Sequence, residues 1–132
     1  MKIYIAGKYQ EREFISRMMD TLRDAGHEIT TEWTSHEYAT PEIHASYAVD
    51  DIRGVQECDI YIGVFLNEHR YRGALCELGA ALALGKPCWI LGHAEDDCIF
   101  MLHPLVFRFD EKDLEDWLKS SDCYSRACKV NI

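Results

Sequence analysis

Two carboxylates, Glu77 and Asp51, are the side chains of this 132-residue sequence whose surroundings most favour chemistry. Glu77 lies in YRGALCELGAALALGKP (71–87), a stretch of small and apolar residues that is predicted to form a buried helix. Asp51 is four residues from both Tyr47 and Val55 on another predicted helix, so we expect it to point inward. If both acids reach one pocket, one can act as a nucleophile and the other can transfer protons. Such a pair suits a reaction through an oxocarbenium-like transition state.

Glu77 also has a purely structural interpretation. It would then cap backbone amides in the first turn of its helix, or pair with Arg72 or Lys86. Burial raises the pKa of such a carboxyl group, whereas a helix N-terminus favours its charged form. The position of Glu77 in the sequence favours the functional interpretation. Glu77 follows a predicted buried strand, a loop and Gly73, and the small residues around it would let a ligand approach. Asp59, which begins that strand, is interpreted as a strand-end cap or a turn residue.

Strands and helices alternate along the chain. Apolar and β-branched runs predict strands, and apolar residues at helical spacing predict helices. The predicted strands are 2–6, 27–31, 59–65, 88–91 and 106–109, and the predicted helices are 11–25, about 45–57, 73–84 and 111–119. This order predicts an α/β fold: a single-domain doubly wound (Rossmann-like) parallel sheet of about five strands with helices on both faces. Ligands of such sheets bind outside the carboxyl ends of the strands.

Composition and charge exclude several classes of function. The formal net charge of −9 argues against a duplex nucleic acid partner. Apolar runs are too short for a membrane span or a signal peptide, so we expect a cytoplasmic protein without a membrane partner. The six cysteines show no CxxC spacing and are expected to be free thiols. Without GxGxxG or P-loop motifs, and with His93, Cys98 and His103 at no zinc spacing, we expect no cofactor and no metal.

The segment AVDDIRGVQECDIYIGVFLNEHRYRGALCELGAALALGKP (48–87) resembles the signature of the nucleoside 2-deoxyribosyltransferase family. That signature is an Asp, a short helix, an Asp-led apolar strand, a glycine-containing loop, Glu-Leu-Gly and a Gly-Lys-Pro stop. The opening MKIYIAG is similar to the family's first strand. Relatives of the family include deoxynucleoside 5′-monophosphate N-glycosidases. The resemblance implies a deoxyribosyltransferase-like domain over 1–120, with a C-terminal tail over 121–132.

The resemblance also implies roles for particular residues. Glu77 matches the catalytic glutamate that attacks the anomeric carbon and forms a glycosyl-enzyme. Asp51 matches the aspartate that assists protonation of the leaving base. The remaining residues expected to bind substrate lie in the first loop, after the second strand and before Glu77: Gly7, Lys8, Tyr9, Trp33, Tyr71, Arg72 and Gly73. Homo-oligomeric assembly is implied as well.

The sequence departs from the family pattern at two places. Tyr71 stands where many deoxyribosyltransferases carry an acid, six residues before the glutamate. The first loop, KYQER, replaces the Gly/Ser/Arg-rich phosphate loop of the monophosphate hydrolases, and Lys8 and Arg12 could supply part of that contact or simply be solvated. The cleaved bond is therefore better supported than the phosphate state of the substrate.

Aromatic and histidine residues offer weaker signals. Trp33, at the end of the second predicted strand, could stack on a base, although packing is the more frequent role of such an aromatic residue. His36 and His44 could be general acids or have no chemical role.

Together these features predict an enzyme that cleaves the N-glycosidic bond of a small-molecule 2′-deoxynucleoside or its 5′-monophosphate. The deoxyribosyl group would pass to another base or to water. Two alternatives remain: a non-catalytic nucleotide- or nucleoside-binding module, and an NAD-type glycohydrolase.

Overall fold

The structure, a computed structural model, describes residues 1–37, 40–68, 70–110, 112, 113 and 116. Five parallel strands form one sheet in the order β2-β1-β3-β4-β5. The strands are β1 (Lys2–Ala6), β2 (Glu28–Ile29), β3 (Ile60–Val64), β4 (Cys88–Leu91) and β5 (Val106–Phe109). The predicted parallel α/β sheet is therefore confirmed.

Three α-helices connect the strands: α1 (Arg12–Asp24), α2 (Pro41–Glu57) and α3 (Arg72–Ala83). Short 3-10 helices span Tyr9–Glu11 and Ile99–Leu102. From β1 the chain moves to β2 at one edge of the sheet, and from β2 it crosses back to β3 and continues toward the other edge. The β-α-β crossovers are right-handed, so a change in the direction of the crossover changes the face on which the connecting helix lies. Helices α2 and α3, which pack against each other, therefore share one face of the sheet, and α1 covers the other.

The structure corrects two details of the predicted helices. Helix α2 begins at Pro41, about one turn before the expected start near Ala45. The side chain of Thr40 caps it by accepting a hydrogen bond from the backbone N–H of Ile43, and proline suits the first helical position. Helix α3 begins at Arg72, so Glu77 lies in its second turn rather than its first.

The last part of the chain is described only at residues 112, 113 and 116, which are helical. The rest of the helix predicted over 111–119, and the tail over 121–132, lie outside the described residues. Of the cysteines, Cys58, Cys76, Cys88 and Cys98 are described, and these four are free thiols as expected. None of the helices in the described ranges combines the length and apolar character needed to cross a membrane.

The two central strands hold the core beneath the helices. Every residue of β3 is buried, and so are the last four of β1. Tyr4 of β1 pairs in register with Tyr61 of β3, and their rings stack with centroids 6.2 Å apart. The Tyr61 hydroxyl donates a hydrogen bond of 2.7 Å to the carbonyl of Ala74, which fixes the start of α3 above the sheet. Asp59 accepts a bond of 2.8 Å from the backbone N–H of Lys2, which confirms its role as a strand-end cap.

Candidate active site

A cleft of about 320 Å³ opens at the carboxyl ends of the central strands, between the first loop, α2 and α3. Its walls contain both predicted acids, four further aromatic rings, two histidines and three small residues. The lining residues are Tyr4, Gly7, Tyr9, Trp33, His36, His44, Tyr47, Ala48, Asp51, Gly73 and Glu77. The structure thus brings Glu77 and Asp51, which lie on different helices, to one cavity at the edge of the sheet where ligands of this fold bind.

The Glu77 side chain extends from α3 to Tyr4 in the middle of β1. Its Oε2 atom accepts a short hydrogen bond from the hydroxyl of Tyr4, whose ring is buried. The two cations that could have paired with Glu77, Lys86 and Arg72, do not contact it. Lys86 donates from Nζ to the carbonyls of Gln56 and Cys58, at 3.0 and 2.7 Å, and Arg72 is exposed. A carboxylate in the second helical turn is also beyond the capping positions.

Burial dominates the electrostatics of Glu77. It raises the pKa of the carboxyl group to about 7, the hydrogen bond from Tyr4 opposes this rise, and the negative charge of Asp51 adds to it. The pKa of Tyr4 is raised above its usual value, first by burial and then by the charge of Glu77. Tyr4 therefore stays protonated at neutral pH and acts as a hydrogen-bond donor.

Asp51 is half-buried on the inner side of α2. Burial raises the pKa of its carboxyl group most, nearby His36 lowers it, and Asp50 raises it further. The Oδ1 atom of Asp51 is buried and has no hydrogen-bond partner among the described residues. Buried polar atoms are nearly always bonded, so this oxygen is suited to meet a polar group of a ligand.

Aromatic rings form the wall beside Asp51. The rings of His36 and Tyr47 stack with centroids 3.8 Å apart and planes 9° apart, and the ring of His44 lies 5.8 Å from that of Tyr47. Trp33 is 9% exposed and its Nε1 donates a bond of 2.6 Å to the carbonyl of Ile5. Trp33 therefore packs into the core, as favoured from the sequence, and also lines the cleft.

Two glycines shape the opposite end of the cleft. A Cβ atom on Gly7 would lie 2.3 Å from Cδ1 of Ile15, so only glycine lets the first loop lie this close to α1. A Cβ on Gly73 would meet nothing within 4 Å, so the start of α3 leaves open space next to Glu77.

Three residues predicted to bind substrate are not placed in the cleft. Tyr71 is 1% exposed, and its hydroxyl donates to Glu11 and accepts from the backbone N–H of Asn67. The Nζ atom of Lys8 lies 3.2 Å from Glu11 and over the ring of Tyr71. Arg72 is turned to solvent. Gly7, Tyr9, Trp33 and Gly73 do line the cleft as predicted.

Sequence reasoning missed Tyr4 and Tyr47 as parts of the site. Tyr4 belongs to a run of buried strand residues and looks like core, and only the pairing of β1 with β3 below α3 shows its hydroxyl meeting Glu77. Tyr47 was noted only as a marker of helical spacing. Tyr4 is the middle residue of β1, so its position along the strand gave no signal that its hydroxyl reaches the cleft.

No group of three or more His, Cys, Asp or Glu side chains within the described ranges is arranged to hold a metal ion. His93 bonds Asp96 at 2.7 Å, and the backbone N–H of Leu105 donates to His103 at 3.0 Å. Each of these histidines therefore bonds to a residue two or three positions further along the chain.

A doubly wound sheet with a carboxylate-containing cleft at its strand ends defines an α/β protein of the kind that binds small ligands at that edge of the sheet. The sequence profile of the nucleoside 2-deoxyribosyltransferase family matches residues 3–122, and the chain belongs to that family. The predicted class of enzyme, a nucleoside deoxyribosyltransferase or N-glycosidase, is thereby confirmed.

Solved structures that share the fold include two enzymes. The 2-deoxyribosyltransferase of Bacillus psychrosaccharolyticus superposes with a TM-score of 0.71 at 23% identity, over 88% of this chain and 91% of that one. The CMP N-glycosidase BcmB of Clostridium botulinum superposes with a TM-score of 0.61 at 21% identity, over 94% of this chain and 99% of that one. No curated protein sequence matches the chain.

Proposed function

We propose that this protein cleaves the N-glycosidic bond of a 2′-deoxynucleoside or its 5′-monophosphate and passes the deoxyribosyl group to another base or to water. The observation that carries the proposal is the position of Glu77, which is hydrogen-bonded by buried Tyr4 and shares one cleft with Asp51. Family membership supports the same bond class. One structural neighbour is named for deoxyribosyl transfer and the other for N-glycosidase action on CMP.

Glu77 is the nucleophile in this proposal. Tyr4 holds Oε2, so that Oε1 can attack the anomeric carbon of the sugar. The bond between that carbon and the base nitrogen breaks, its electron pair goes to the base, and Glu77 becomes a glycosyl ester. Asp51, in its protonated form, gives its proton to the departing base. A second base or a water molecule then attacks the same carbon, loses its proton to Asp51 and releases Glu77.

The two carboxyl groups must share one proton for this cycle to start. Burial raises the pKa of both carboxyl groups, and interacting acids of this kind titrate as a unit. The productive state has the proton on Asp51. The hydrogen bond from Tyr4 favours that state because it stabilises the Glu77 carboxylate.

The aromatic wall suits a nucleobase. Trp33 is held by its bond to Ile5, and the stacked rings of His36 and Tyr47 lie on the same side as Asp51. A base placed against this wall has its proton donor beside it, while the sugar extends toward Glu77 and Gly73. The expected cytoplasmic location and homo-oligomeric assembly stay predictions.

The test is to incubate the protein with each deoxynucleoside and each deoxynucleoside 5′-monophosphate, with and without a free acceptor base, and to separate the products by chromatography. We expect base release that falls about 1,000-fold or more in Glu77→Gln. Glu13→Gln, an exposed change on α1, is the matched control and should retain activity. Nicotinamide release from NAD alone would favour a glycohydrolase of that type instead, and ligand binding without turnover would favour a binding module.

A further inference from the structure

The ring of Tyr4 lies against both helices that carry the two acids. It is buried and stacked on Tyr61, and its hydroxyl donates to Glu77 of α3. The edge of the same ring faces Gly54 of α2, where an added Cβ atom would lie 2.9 Å from Cδ2 of Tyr4. Gly54 follows Asp51 by three residues, which is less than one helical turn. One buried ring therefore contacts Glu77 directly and the turn of α2 that holds Asp51.

Residue 54 of α2 has no room for a side chain. Gly54 is buried, and a Cβ atom there would overlap Oγ1 of Thr31 and lie 3.1 Å from Cβ of the same threonine, in addition to its close contact with Tyr4. Glycine inside a helix is otherwise unfavourable, because its backbone loses more conformational freedom on folding than that of alanine. What this glycine permits is the close approach of α2 to the sheet.

Two threonines that follow β2 hold α2 in this position. Oγ1 of Thr30 donates to the carbonyl of Gly54 at 2.8 Å, and Oγ1 of Thr31 donates to the carbonyl of Asp50 at 3.2 Å. The two carbonyls lie about one turn apart on α2, and Asp51 directly follows Asp50. The helix is thus attached to the end of the neighbouring strand at the turn that carries Asp51.

An added side chain at residue 54 should displace α2 rather than the ring of Tyr4. The ring is held by its stacking and by its hydroxyl bond, whereas two of the 17 residues of α2 are buried. Rotation of the Thr31 side chain would remove the overlap with its Oγ1, but the contacts with its Cβ and with Tyr4 would stay. Relief of those contacts requires α2 to move outward, and Asp51 moves with it, away from Glu77.

From these contacts we infer that Gly54 is a positioning residue: by letting α2 lie against the ring of Tyr4, it holds Asp51 at the distance from Glu77 that proton transfer to the leaving base requires. The inference rests on the proposed function and adds to it the residue that sets the spacing of the two acids. A displacement of about 1 Å at a reacting group can cost on the order of 100-fold in rate.

The test measures kcat of Gly54→Ala with the unmodified substrate that the protein cleaves fastest and with 7-methyl-2′-deoxyguanosine, whose base leaves without being protonated. We expect kcat to fall about 10- to 100-fold with the unmodified substrate and about threefold or less with the methylated one. Gly79→Ala is the matched control. It adds the same methyl group to an exposed glycine of α3, where a Cβ atom would meet nothing within 4 Å, and should change neither rate.

The pH profile distinguishes a displaced α2 from a disturbed Tyr4. Burial raises the pKa of Glu77 most, the hydrogen bond from Tyr4 lowers it, and the negative charge of Asp51 raises it further. Moving Asp51 away should therefore leave the acidic limb of kcat/KM in place or shift it to lower pH in Gly54→Ala. Loss of the Tyr4 bond would instead shift that limb to higher pH.

Thermal unfolding shows whether Gly54→Ala folds. If it does not, Gly54→Ala/Thr31→Ala is used with Thr31→Ala as its reference, because it lacks the overlapping Oγ1 and keeps the contact with Tyr4. Relative to that reference, we expect kcat with the unmodified substrate to fall about 10-fold.

Three results with a folded variant would overturn the inference and leave the proposed function intact: an unchanged kcat, equal losses on both substrates, or an acidic limb moved to higher pH. If the unaltered protein released no base from any substrate, the proposed function would fail, and the inference with it.

Discussion

The hydroxyl of Tyr4 on β1 donates a hydrogen bond to Oε2 of Glu77 on α3, 73 residues further along the chain. The bond joins strand β1 to the helix that carries the proposed nucleophile. It also opposes burial, which raises the pKa of Glu77. One buried hydroxyl therefore both positions the carboxylate and keeps it closer to the ionised state that a nucleophile requires.

Removing that hydroxyl should change both rate and pH dependence. In Tyr4→Phe we expect kcat/KM to fall about 10- to 100-fold and the acidic limb of the pH profile to move to higher pH. The direction follows from the sign: the hydrogen bond lowers the pKa of Glu77, so its loss raises that pKa. Tyr61→Phe is the matched control, because it removes a hydroxyl that bonds the carbonyl of Ala74 instead. If the acidic limb of the pH profile did not move in Tyr4→Phe, the proposed role of Tyr4 in lowering the pKa of Glu77 would be contradicted.

The effect of replacing Asp51 on the rate should depend on whether the leaving base must be protonated. In Asp51→Asn we expect a loss of about 100- to 10,000-fold in kcat with ordinary deoxynucleosides. With 7-methyl-2′-deoxyguanosine, whose base leaves without being protonated, the loss should be about 10-fold or less. Asp50→Asn alters the neighbouring carboxylate, which is exposed and pairs with Arg53 at 3.4 Å, and should change neither rate much. Equal losses on both substrates in Asp51→Asn would exclude proton donation.

Glu77 should lower the stability of the folded protein at neutral and alkaline pH. Its folded-state pKa is raised from 4.5 to about 7. The folded state therefore binds the proton more tightly than the unfolded state, and the resulting stability is present below pH 4.5 and lost as pH rises through about 7. Glu77→Gln removes this dependence, so at pH 8 the variant should be more stable by about 1–3 kcal/mol, with little gain at pH 4. Denaturant unfolding at the two pH values measures this, and an equal gain at both would be inconsistent with the raised pKa.

The close approach of the first loop to α1 should be testable by a paired substitution. In Gly7→Ala the new methyl group meets Cδ1 of buried Ile15, and we expect a loss of about 1–3 kcal/mol together with lower activity. Ile15→Val removes that Cδ1 atom. The double variant should therefore be more stable than the sum of the two single effects predicts, as measured by a double-mutant cycle. Strict additivity would show that the contact does not limit residue 7.

The sheet was predictable because its central strands are buried on both faces and appear as continuous apolar runs. Strands β1, β4 and β5 begin and end at the expected residues. The start of α2 was missed because the helix was predicted to begin at about residue 45, although Thr40 and Pro41 together form a helix N-terminal signal.

The two acids of the candidate site could be predicted from the local sequence pattern and from the family resemblance. The contacts of Lys8 and Tyr71 could not be predicted, because they join residues that are distant in the sequence. Glu11 meets Tyr71 across 60 residues, and Glu95 reaches the N–H of Tyr71 across 24. No spacing rule connects such positions, so residues expected to touch substrate turned out to contact one another.

The most direct test of the account asks whether Glu77 becomes covalently attached to the sugar. The protein is mixed with a deoxynucleoside, quenched rapidly in acid, digested and analysed by mass spectrometry, with Glu77→Gln treated in parallel. We predict a deoxyribosyl adduct on the peptide that contains Glu77 and none in the variant. An adduct on a different residue, or undiminished base release by Glu77→Gln, would contradict the assignment of Glu77 as the nucleophile.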